Sequence, residues 1–109
     1  MKDFTLKIGA HKIRVRHVSY NKVQELFKVY GDDSRGESAI GAYYGQKNQI
    51  LIDREQHGTN YVSILIHEIM ECVNDKYGIE LSHVPMTTIG EALTQIMLDN
   101  KKVFQELLK

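Results

Sequence analysis

The chain has no tryptophan, one proline and one cysteine, and its 14 Lys and Arg are matched by 14 Asp and Glu. Each shortage excludes something. The lone thiol, Cys72, cannot close an intramolecular disulfide, which removes the stapled-scaffold class and leads us to expect a reducing, cytoplasmic setting. The longest apolar stretch, residues 62–66, is broken by Ser63 and followed by His67 and Glu68. That is far short of the ~20 residues needed to span a bilayer, so no membrane role is expected. No stretch combines the charged start, apolar middle and small-residue cleavage site of a secretory signal. No linker, repeat or low-complexity tract divides the 109 residues, and the expectation is a single domain over 1–109.

The zero net charge hides an asymmetry. Residues 1–30 hold seven Lys and Arg against two acids, whereas residues 31–109 hold seven against twelve. Lys12, Arg14 and Arg16 alternate with Ile13 and Val15, so on a strand they share one face. Such a face could meet nucleic acid or an acidic partner, but no aromatic residue interleaves there to stack bases. An exposed sheet face is the simpler reading, which points away from nucleic acid.

Residues 4–8 and 12–18 alternate polar and apolar around Gly9-Ala10-His11, which predicts a hairpin. Ser19 or Asn21 can cap a helix with Val23, Leu26, Phe27 and Tyr30 at helical spacing, ended by Gly31-Asp32-Asp33, and residues 32–38 read as a loop. Residues 39–44 and 49–53 are β-rich around Gly45-Gln46-Lys47-Asn48, a second hairpin. Thr59 or Asn60 can cap a long helix to Tyr77, stopped by Gly78. Ser82 can cap the next, with Pro85 in its first turn, Met86, Ile89, Leu93, Ile96 and Met97 as its apolar stripe, and Asn100 as its end. Val103, Phe104, Leu107 and Leu108 form a short last segment that packs on the body or on a partner.

The chemistry concentrates in His67-Glu68-Ile69-Met70-Glu71. On the 59–77 helix, Val62, Leu65, Ile66, Ile69, Val73 and Tyr77 form a core stripe, and His67 and Glu71 project the other way. Four residues apart, they stand one turn above each other and can grip one ion. Glu68 points to the side, where the helical metallopeptidase arrangement places its general base. A hydrolytic zinc site needs three protein ligands and an open position. His83 is the leading third ligand, because Gly78 turns the chain and residues 78–82 can run back along the helix. Glu91 is the reserve ligand, or a group that orients a ligand imidazole. The alternative is a solvated helix face; the placing of Ile64 on that side argues for a partly covered one. His11, His17 and His57 read as surface residues and Cys72 as a small core residue.

These residues resemble small zincin-like domains encoded by phages and prophages, distantly similar to SprT-like and phage-repressor-cleaving metallopeptidases. The likeness is carried by Ile64-Leu65-Ile66-His67-Glu68-Ile69-Met70-Glu71, by Leu81-Ser82-His83, and by Gly90-Glu91-Ala92-Leu93-Thr94-Gln95-Ile96-Met97-Leu98-Asp99-Asn100. It covers roughly the C-terminal half. Gly41-Ala42-Tyr43-Tyr44-Gly45 and Gln49-Ile50-Leu51-Ile52-Asp53 look like the hairpin that leads into the active-site helix of such domains. The resemblance implies zinc and a peptide or protein substrate paired to an edge strand, here Gln49–Asp53. This chain departs from the usual pattern by carrying Glu71 where a second histidine stands and His83 where a glutamate does. Tyr43 or Tyr44 is a candidate oxyanion donor.

The expected fold is therefore α+β, a small antiparallel sheet packed against three to four helices in a minimal zincin-like arrangement. The leading functional expectation is a zinc-dependent metallopeptidase with ligands His67, Glu71 and His83 and with Glu68 as base. The alternative is a metal-binding phage accessory protein without catalysis that binds a host protein. A domain this small offers little cleft wall, which leaves room for a homodimer through residues 103–108.

Overall fold

The computed structural model describes residues 1–30 and 40–109. The predicted helix end at 31–33, the loop at 32–38 and the first residue of the 39–44 segment lie outside the described residues. The alternating segments form β1 (Phe4–Ile8) and β2 (His11–Val18), joined at Gly9-Ala10. Ser19 opens α1 (Tyr20–Tyr30), its Oγ accepting the Lys22 N–H at 3.3 Å. The second hairpin is β3 (Gly41–Tyr44), a 3-10 turn at Gly45–Lys47 and β4 (Gln49–Asp53). Three helices follow: α2 (Gly58–Lys76), α3 (His83–Asp99) and α4 (Lys101–Leu107).

The α+β class is as expected, with one difference in the sheet. Its strand order is β1-β2-β4-β3, and each hairpin is antiparallel, but β2 and β4 pair in parallel from Arg14↔Gln49 to Val18↔Asp53. The sheet is mixed because α1 separates β2 from the second hairpin. The chain crosses one face through that helix before returning, and a crossover of that kind is what parallel neighbours require. A second correction follows. Gln49–Asp53 is an interior strand and not an edge; the edges are β1 and β3. Ile50, Leu51, Ile52 and Asp53 are all buried, because helices cover both faces at this point and a strand covered twice carries an unbroken apolar run.

On one face Val23 and Phe27 of α1 meet Val18, Ala42 and Leu51. On the other, Tyr61, Ile64 and Cys72 of α2 meet Ile13, Val15, Ile50 and Ile52. Burial of each such aliphatic side chain contributes about 1.5–3 kcal/mol. The sheet-facing line of α2 thus runs through Tyr61, Ile64, Glu68 and Cys72, and the expected stripe of Val62, Leu65, Ile66, Ile69 and Val73 is only partly covered. The reason is that α2 has neighbours on two sides. Ile66 and Met70 approach Gly90 of α3 closely enough that a Cβ there would meet them at 3.9 and 3.7 Å. Capping also differs. His57 precedes α2 and its carbonyl accepts the Tyr61 N–H, so Thr59 and Asn60 lie within the first turn.

α3 is the outermost layer and rests on α2. Met86, Gly90 and Thr94 are buried along that contact, whereas Ile89, Leu93, Ile96 and Met97, expected in the core, are each at least two-fifths exposed. One neighbouring helix, α2, covers one narrow stripe of α3, and among the described residues α3 makes no comparably large contact with the sheet. Among the described residues no helix is long and apolar enough to cross a membrane.

Candidate metal centre

His67 and Glu71 stand one turn apart on α2, with Nε2 and Oε1 separated by 3.6 Å. Both are partly buried. His83 reaches them because the chain reverses sharply after α2. Gly78, at φ +61°, adopts the left-handed conformation open to glycine. Its N–H donates to Asp75 O and the Ile79 N–H to Asn74 O, the paired bonds of a Schellman cap. The Asn74 side chain then holds the returning strand. Its Oδ1 accepts the Leu81 N–H at 2.8 Å and its Nδ2 donates to Leu81 O at 3.0 Å. Two residues later His83 opens α3.

The result is a group of three donors. One ligand atom from each of His67, Glu71 and His83 lies within 4.8 Å of the others, and all three residues are partly buried. The two imidazole rings are 5.6 Å apart at 72°. Thr87 Oγ1 is 3.4 Å from His83 Nε2, one turn along α3, a contact that steadies the ring from outside the cluster. Two imidazoles and a carboxylate at this spacing could hold a metal ion, and they are donor types that zinc accepts. Glu91 is exposed and stands outside the cluster.

Glu68 is 6% exposed and belongs to the sheet-facing line of α2. Its carboxylate lies against the backbone of β3. A Cβ at Gly41 would come within 3.2 Å of Glu68 Oε2 and 2.6 Å of Ile64 Cγ2, so only glycine allows the strand this close. Beside the cluster, an open cleft of about 610 Å³ is walled by Tyr43, Tyr44 and Gln46 on one side and Glu71, Asn74 and Asp75 on the other. Tyr43 Oη donates to Asp75 Oδ2 at 2.7 Å. Burial, reinforced by that bond and by Cys72, pushes the Tyr43 phenol well above its usual range, so it keeps its proton. Both tyrosines expected near the site line the cleft, with the Tyr43 proton directed to Asp75.

Sequence reasoning missed two features. The Asn74 clamp carries no signature beyond an asparagine four residues before a helix-ending glycine. His17, expected at the surface, has a side chain only 5% exposed. Its Nε2 lies 2.6 Å from Tyr61 Oη and its Nδ1 3.2 Å from Asp3 Oδ1, which ties the N-terminus to α2. His57 is exposed as expected, with Nδ1 3.1 Å from Glu55 O, and Cys72 is fully buried.

Comparisons with known protein families, with curated proteins and with solved structures find no match.

Proposed function

We propose that the protein is a zinc-dependent, peptidase-like hydrolase of the phage type, acting on an extended peptide segment in the cytoplasm. The observation that carries this reading is the convergence of His67, Glu71 and His83 from two helices, with donor atoms within 4.8 Å. Zinc, when bound, supplies Lewis acidity and brings the pKa of a water to about 7. His67, Glu71 and His83 would hold the ion. Glu68, one position along from His67, would serve as the general base toward a water activated there and as the proton donor to the leaving amine. β3, as the sheet edge beside Glu68, offers backbone N–H and C=O groups to an extended substrate, in place of the interior β4.

A second reading has its own support: the deep burial of Glu68 against Gly41 suits a carboxylate that does not meet solvent water. In that reading the ion is structural and the protein binds a host protein. One experiment separates them. Tag-free protein is assayed for zinc by elemental analysis and for cleavage of a peptide library, alongside Glu68→Gln. The hydrolase reading expects about one zinc in both and cleavage lost only in the variant. Zinc without turnover in either leaves the structural reading, and absence of zinc from both overturns the metal centre.

A further inference from the structure

The outer surface of α3 turns away from the metal cluster and is apolar. His83 and Thr87 lie on one side of the line along which α3 packs on α2; Ile89, Leu93 and Ile96 lie on the other. These three are 41%, 41% and 49% exposed. Val62, Ile66 and Val73 of α2 are likewise only partly covered. Beyond Asn100, Val103, Leu107 and Leu108 of the C-terminal segment are more exposed still. A seven-residue helix is far below the length that is stable in isolation, and α4 packs on α3 alone among the larger contacts. Isolated soluble chains rarely expose a continuous apolar patch beyond a few hundred Å².

We propose that this surface is a two-fold interface with a second copy of the chain, α3 packing antiparallel on its counterpart. Three observations select a copy of itself over another partner. The exposed face reads Ile89, Ala92, Leu93, Ile96, which maps onto itself when the direction is reversed. Ile89 then faces Ile96, and Ala92 faces Leu93, as an isologous interface demands. The small Ala92 beside the axis lets the two helices approach. Residues 83–109 carry three acids, Glu91, Asp99 and Glu106, and three bases, Lys101, Lys102 and Lys109. With 14 charges of each sign in the whole chain, two copies meet without net repulsion at neutral pH, the condition that favours self-association. The interface leaves the cluster of His67, Glu71 and His83 open, and its test does not depend on the metal.

Sedimentation equilibrium of the full chain over about 5–200 μM tests it, with Leu93→Glu and Ile96→Glu as variants and circular dichroism to confirm folding. The wild type is expected to be a dimer, and each variant to weaken association at least about tenfold. A short bismaleimide adds a readout that needs no destabilising charge. Cys72 is fully buried, so only introduced thiols react. Leu93→Cys, next to the axis, is expected to cross-link to itself, and Val84→Cys, on another face near the end of α3, is not. A monomeric wild type at the highest concentration overturns the proposal. So does a dimer that survives both glutamate variants, or cross-linking at position 84 in preference to 93.

Discussion

The two walls that hold the candidate site are built differently. α2 is pressed against a sheet through fully buried Ile13, Val15, Ile50, Ile52 and Cys72. α3, which brings the third donor, packs mainly on α2 among the described residues, along a line of small or flexible residues, Met86, Gly90 and Thr94. His67 and Glu71 are therefore placed by the core, and His83 by a corner: a left-handed glycine and the two bonds of Asn74. The contrast teaches that the spacing within the cluster is decided at residues 74–81 and not by the bulk of the hydrophobic interior.

The largest expected effect sharpens that contrast directly. Ile50→Ala in the sheet is expected to cost about 2–5 kcal/mol in denaturant unfolding, while Ile89→Ala on α3 costs about 1 kcal/mol or less at dilute monomer. Equal costs would dissolve the distinction. Next, His83→Ala is expected to weaken zinc binding at least about 100-fold with the fold intact, measured by competition with a chelating dye. Unchanged affinity would show that the outer wall supplies no donor. Asn74→Ala is expected to weaken zinc about 10–100-fold, the usual range for a group that orients a ligand from outside. If it lowers stability without moving zinc affinity, the corner does not set the cluster.

The smallest effect concerns the cleft. The Tyr43 phenol is raised above its ordinary value of 10 by burial and by Asp75. A raised folded-state value means that its stabilisation is complete below pH 10 and declines as pH climbs beyond it, because the unfolded chain releases the proton first. Tyr43→Phe is expected to lose the Asp75 bond at neutral pH and to show a flatter stability profile above pH 10, followed by thermal unfolding across alkaline buffers. An identical alkaline slope in both proteins would mean that the phenol is not held as described.

Much of this was legible in the residues. Alternation over 4–8 and 12–18 marks the first hairpin, Gly78 marks the end of α2, and the four-residue spacing of His67 and Glu71 puts both on one side of a helix. Other features were not legible, for identifiable reasons. Periodicity says which face of a helix is apolar and is silent on whether anything covers it, so the stripe through Ile89, Leu93 and Ile96 does not reveal that it stays exposed while Met86, Gly90 and Thr94 are buried. An unbroken Ile-Leu-Ile run does not distinguish an edge strand from an interior one until the crossover through α1 is known. His17 looks like an ordinary strand histidine because its partners, Asp3 and Tyr61, are 14 and 44 residues away. Glu91 has helical spacing that suits a ligand, yet two turns along α3 carry it past the cluster and into solvent.

The corner at Asn74 and Leu81 also determines how α3 can move. Pinned at its first turn and seated on α2 through Met86, Gly90 and Thr94, the helix carries its donor at one end and Asp99 at the other. Sixteen residues at 1.5 Å each place that tip about 24 Å from His83. A sideways displacement of that tip is thus geared down to a much smaller one at the imidazole.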